Sequence, residues 1–98
     1  MARRSPKVVV VGPAYIDIAI KCNETPGKGE SVKGSGLSYV PGGSGVNCSV
    51  QSALCGCETF FAGKVGDDIF GRLILGELDV RGVNTEYTFK APAISTGA

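Results

Sequence analysis

Pro41-Gly42-Gly43-Ser44-Gly45-Val46-Asn47 is a glycine-dense turn that runs straight into a helical pattern. Three glycines among four residues allow positive φ and let backbone come close to a ligand with no side chain in between. Behind the turn, Val46, Val50, Ala53 and Leu54 recur at the spacing of one helix face. A glycine turn at a helix start leaves backbone N–H groups pointing outward, where hydroxyl or anionic oxygens can accept from them. Asn47, in the first turn, adds a side chain that both donates and accepts. This combination of groups suits a polyol. The plainer reading is a strand–turn–helix connection in which the glycines only solve geometry.

The two common phosphate loops do not fit. A Walker loop ends in Gly-Lys-Ser/Thr, and no lysine lies between Lys33 and Lys64. A dinucleotide fingerprint needs a third glycine and follows the first strand immediately. Here Gly43-Ser44-Gly45-Val46-Asn47-Cys48 lacks that glycine and comes roughly thirty residues after Gly12. A Rossmann-type oxidoreductase is therefore disfavoured.

Upstream, Lys7-Val8-Val9-Val10-Val11-Gly12 is a continuous β-branched run, the pattern of a central parallel strand buried on both faces. Pro13-Ala14-Tyr15-Ile16-Asp17 follows at its carboxyl end. Open α/β sheets bind ligands there, which places Asp17 to receive hydroxyl groups; a cap or turn role is the bland alternative. Downstream, Gly63-Lys64-Val65-Gly66-Asp67-Asp68-Ile69-Phe70-Gly71 leads into a helical stretch that ends near Gly82.

Together these elements resemble, in order and spacing, the amino-terminal part of a ribokinase-like (phosphofructokinase-B type) carbohydrate kinase, over roughly Val8 to Ala98. The resemblance implies a ribokinase-like three-layer α/β sandwich, present in part, with a β lid inserted after the first strand. It implies an ATP-dependent kinase that moves the γ-phosphoryl group to a hydroxyl of a sugar, nucleoside or sugar derivative. The sugar-holding positions it transfers are Asp17, Gly42, Gly43 and Asn47. Members closest to ribokinase often carry asparagine two residues before that aspartate and lysine inside the glycine turn. Tyr15 and Ser44 stand there instead, join the candidate substrate contacts, and leave the identity of the sugar open. Asp67 or Asp68 matches a further family hallmark, as a cap for the next helix. ATP and Mg2+ are implied for the full-length enzyme, with their ligands and the catalytic base in a later glycine-rich segment; no catalytic or metal-binding residue is expected in this span. The 98 residues thus read as the sugar-binding portion of a longer kinase, inactive alone. A non-catalytic ligand-binding or oligomerising domain is the alternative.

Around that frame the sequence predicts one α/β unit. Residues 16–40 and those from 94 onward are expected to form the lid, with a turn at Gly27-Lys28-Gly29-Glu30 and a returning strand over 31–40; a disordered linker over 22–40 is the bland alternative. In the resembling family the lid often pairs two subunits, which implies a homodimer. A helix is expected over 45–55, capped by Gly56, then a parallel strand over 58–63. The next helix, over 68–80, should place Ile69, Phe70, Leu73, Ile74 and Leu78 on one side. Thr85 to Lys90 alternates as a strand, with Tyr87 and Phe89 read as core.

Ten basic residues face nine acidic ones, a balance that gives no nucleic-acid footprint. Met1-Ala2-Arg3-Arg4-Ser5-Pro6-Lys7 is basic, but the four valines behind it are too short for a signal-peptide core or a membrane span. It reads as a frayed terminus on a cytoplasmic protein. With no histidine, any general base must be a carboxylate. Cys22, Cys48, Cys55 and Cys57 lack the pairing of a zinc site and are expected as free, buried thiols.

Overall fold

The computed structural model describes residues 5–98; most of the basic terminus lies outside them. Five strands and two helices follow in the order β1 (Lys7–Val11), β2 (Tyr15–Cys22), β3 (Gly34–Gly42), α1 (Ser44–Leu54), β4 (Glu58–Gly66), α2 (Ile69–Val80) and β5 (Thr88–Ala91). β1, β4 and β5 form a parallel sheet in that spatial order. β2 and β3 pair separately as an antiparallel hairpin. This is an α/β fold carrying a projecting two-stranded lid-like hairpin, in which Cys22 and the 34–40 stretch are paired strand rather than linker.

The parallel sheet packs its helices on one face. Val10, Phe61 and Val65 point to that side and meet Val46 of α1 and Ile74 and Leu78 of α2. Phe61, Ile74 and Leu78 are completely buried, and burying each such side chain contributes about 1.5–3 kcal/mol. The other face stays open among the described residues, so two layers of the sandwich are present here.

That openness corrects two expectations. β4, not β1, is the central strand, and β1 is an edge; Val9 and Val11 are 60% and 80% exposed, so β1 is not buried on both faces. Tyr87 and Phe89 are likewise exposed rather than core. Val9, Phe60 and Phe89 alternate to the side away from the helices, and Tyr87 only lays its ring against Phe60 at 5.8 Å. β5 also starts later than the alternation suggested. Asn84 bridges Phe60, its side chain accepts from the Glu86 N–H at 2.8 Å, and Thr88 N–H donates to Thr85 O, which turns the chain over 85–87 before β5 begins.

The helices hold to their predicted bounds within a residue or two. α1 ends in a Schellman arrangement: Gly56 N–H donates to Ala53 O, Cys57 N–H to Ser52 O, and Gly56 takes φ 89°. Its buried arc is Gly45, Val46 and Ser49. Leu54 lies off that arc and is exposed, as are Ile69 and Leu73 on α2. The cysteines follow the same rule. All four are free thiols, but Cys22, Cys48 and Cys55 are exposed and Cys57 is half-buried. Cys48 lies on the solvent face of α1, and Cys55, seven residues on, caps its exposed end.

Candidate functional site

Two features of the glycine turn fix its position. Gly43 caps α1 with φ 99° and ψ 152° and no side-chain cap, a conformation that disfavours any residue with a Cβ. A Cβ there would also lie 2.6 Å from Pro13 O and 3.2 Å from Tyr15 Cε1. Gly45 N–H donates to the same Pro13 carbonyl at 3.0 Å, and a Cβ on Gly45 would press on Gly12 and Phe61 at 2.7 and 2.8 Å. The β1–β2 corner thus rests directly on the turn. One of the N–H groups expected to face a ligand, that of Gly45, is instead used internally.

The hairpin register then assembles part of the site. Tyr15 pairs with Gly42 and Asp17 with Val40, so all four share one face of the lid. Ile16 and Ile18 pair with Pro41 and Tyr39 on the opposite face. There Ile16 is fully buried, and Tyr39 meets Phe70 of α2 at 5.7 Å. Asp17 is exposed and so close to Gly42 that a Cβ on Gly42 would overlap its Oδ2. Among the described residues the Asp17 carboxylate enters no ion pair. It is open to accept hydroxyl hydrogen bonds.

Asn47 is placed differently. Its N–H donates to Gly43 O at 3.0 Å, while its exposed side chain borders a cleft of about 350 Å³ walled by Pro41, Val46, Val50, Gln51, Glu77 and Arg81. Asp17 does not line that cleft. The structure therefore brings Tyr15, Asp17, Gly42 and Gly43 together; Ser44 is exposed beside them at the first residue of α1, and Asn47 stands at the edge.

A further cluster joins the lid to the α/β body. Asp68 is the cap of α2, its Oδ1 accepting from Gly71 N–H at 2.8 Å. The same carboxylate accepts from the Thr96 hydroxyl at 2.6 Å and the Thr96 N–H at 2.8 Å. Gly66 N–H donates to the Thr96 hydroxyl at 2.8 Å. The Thr96 hydroxyl and N–H, then the Gly71 N–H, hold the Asp68 carboxyl below its ordinary value of 3.8, with Arg72 adding a smaller pull and burial a smaller opposition. One residue on, Gly97 O accepts from Ile16 N–H at 2.9 Å and Gly97 bridges Tyr15 in parallel. Asp68 was legible as a cap. Thr96 was not, because a lone threonine nearly thirty residues away carries no pattern.

Among the described residues no group of three or more His, Cys, Asp or Glu is arranged to hold a metal ion.

The model of the pfkB family carbohydrate kinases matches residues 5–98. The ribokinase of Bacillus subtilis is 40% identical over 80 residues, covering 82% of this chain and 27% of its own length. The deoxyribokinase of Salmonella typhi is 32% identical over 90 residues, covering 92% and 29%. The Arabidopsis thaliana ribokinase solved with ribose and ATP superposes with a TM-score of 0.82 at 32% identity, covering 95% of this chain and 30% of that one. The chain spans less than a third of the length of these relatives.

Proposed function

The chain belongs to the pfkB family of carbohydrate kinases, and from that premise we propose that its Tyr15–Asp17 and Gly42–Asn47 segments hold the acceptor in transfer of the ATP γ-phosphoryl group to a sugar, nucleoside or sugar derivative. The observation that carries this reading is the Asp17 carboxylate, exposed and in no ion pair among the described residues, beside the side-chain-free backbone of Gly42 and Gly43. A carboxylate can accept two hydroxyl hydrogen bonds, and charge-assisted bonds of this type are about twice as strong as neutral ones. Backbone with no Cβ lets a ring approach closely. The Tyr15 ring, leaning on Gly43, supplies an apolar wall beside the carboxylate.

Phosphoryl transfer depends on alignment and charge stabilisation more than on covalent chemistry by the protein. ATP with Mg2+ supplies the phosphoryl group and offsets its charge. This chain's part is to orient the acceptor hydroxyl. We assign it no base and no nucleotide contact, so the 98 residues alone transfer nothing from ATP. No helix among the described residues is long and apolar enough to cross a membrane. Ile18, Ile20, Leu37, Tyr39 and Val40 are all about half-exposed on the lid, which supports a homodimer through that hairpin. Titration of D-ribose, 2-deoxy-D-ribose and nucleosides into wild-type and Asp17→Asn protein tests the acceptor assignment. Saturable binding to wild type, lost in the variant, supports it; equal binding to both overturns it.

A further inference from the structure

The hydrogen bonds around Thr96 form a continuous path from the cap of α2 to the strand that bears Asp17. Asp68 holds Thr96 through its hydroxyl at 2.6 Å and its N–H at 2.8 Å. The next residue, Gly97, holds β2 through the Ile16 N–H at 2.9 Å. Asp17 follows Ile16 directly. The path is tight as well as continuous. Thr96 is buried, at 8% exposure. A Cβ on Gly66 would overlap Ile94 O and lie 2.6 Å from Thr96 N, while one on Gly71 would overlap Gly66 O. Backbone therefore packs on backbone where β4, α2 and the 94–97 segment meet. Elsewhere the lid is loosely supported. Beyond Ile16 every residue of β2 is exposed, as is all of β3 from Ser35 to Val40. A two-stranded hairpin of this kind is marginal without outside contacts, so its base takes its position from what it is tied to.

We infer that Asp68 and Thr96 are positioning residues for the acceptor site: they clasp the 94–97 segment, which in turn fixes Tyr15 and Asp17 over the glycine turn. Neither touches the acceptor. Their effect on binding passes through the Ile16–Gly97 hydrogen bond. This inference rests on the acceptor role proposed for Asp17, and its test separates the two.

The test uses the whole chain with three substitutions: Thr96→Val, which keeps shape and removes the hydroxyl, Thr96→Ser, which restores it, and Asp17→Asn. Amide hydrogen exchange at Ile16 reports the clasp, and exchange at Phe61, which donates to Asn84 O within the sheet, reports the body of the fold. D-ribose affinity reports the site. In Thr96→Val, Ile16 exchange accelerates by about tenfold or more while Phe61 exchange changes much less, because local opening need not follow global stability. Ribose affinity falls by up to about tenfold, the most that loss of one hydrogen bond to a charged group can take from the population of the ordered site. Thr96→Ser returns both towards wild type. Unchanged Ile16 exchange in Thr96→Val overturns the clasp. So does parallel acceleration at Ile16 and Phe61, which makes Thr96 a general stability residue. Unchanged ribose affinity despite faster Ile16 exchange overturns the positioning role. Asp17→Asn is read separately: affinity lost with Ile16 exchange unaltered upholds the acceptor assignment, and affinity retained removes that assignment while the exchange result on the clasp still stands.

Discussion

Asp17 Oδ2 occupies the space that a side chain on Gly42 would need. Gly42 is buried at the end of β3 and pairs with Tyr15, two residues before Asp17. No positive φ is required at Gly42; its lack of a Cβ is what gives the carboxylate room. Gly42→Ala should therefore swing Asp17 aside and weaken acceptor binding by about tenfold or more, at little cost in stability because what yields is the mobile end of an exposed side chain. Calorimetric titration with the preferred sugar, alongside urea unfolding, checks both. Binding that matches wild type would show that the contact is slack.

Asp17→Asn should leave the fold almost untouched, since the residue is exposed and enters no ion pair among the described residues. Acceptor affinity should drop by about tenfold to a hundredfold, the equivalent of about 1.5–3 kcal/mol for hydrogen bonds to a charged group. An unchanged urea midpoint with a raised dissociation constant is the expected pair of readings. An unchanged dissociation constant refutes the assignment.

At the turn, Gly43→Val should be far more damaging than Ser44→Ala. Gly43 sits at φ 99° with Pro13 O only 2.6 Å from where a Cβ would be, and a β-branched residue resists that backbone. Ser44 is exposed and its hydroxyl makes no hydrogen bond to the described residues. We expect Gly43→Val to lose about 1–3 kcal/mol or more of stability together with binding, and Ser44→Ala to stay within about 0.5 kcal/mol of wild type. Equal midpoints in a thermal melt would mean that the glycine is not shaping the turn.

Much of this was legible in the chain itself. Glycine punctuation at 42–45, 56 and 82 marked the helix ends because a backbone conformation is a local property, and Gly43, Gly56 and Gly82 all take positive φ. The periodicity of α1 and α2 placed Val46, Ile74 and Leu78 on their inner arcs but also counted Leu54, Ile69 and Leu73, which are exposed. What periodicity cannot report is whether a second layer covers an apolar strand. Val9, Val11 and Phe89 look like core in sequence and are exposed on a sheet face that these residues leave open. The thiols failed for a related reason: Cys48 and Cys55 are seven residues apart, but spacing does not say which face is buried. The clasp was invisible because both of its ends are single polar residues joined only by the fold.

That clasp has a consequence for acid stability. The Thr96 hydroxyl and N–H and the Gly71 N–H favour the ionised form of Asp68 and hold its carboxyl below 3.8. A carboxyl depressed in the folded state contributes stability that is fully present above the unfolded value near 3.8, and that is lost as pH falls through the lower, folded value. Wild type and Asp68→Asn should therefore differ most at neutral pH and converge in acid, below the ordinary carboxyl range. Urea midpoints for both proteins across that range measure the gap, and the Ile16 amide should lose protection in wild type over the same acid window. A gap that stays constant from neutral pH into acid would show that the ionised carboxylate, as distinct from the side chain's shape, contributes nothing to the joint between α2 and the lid.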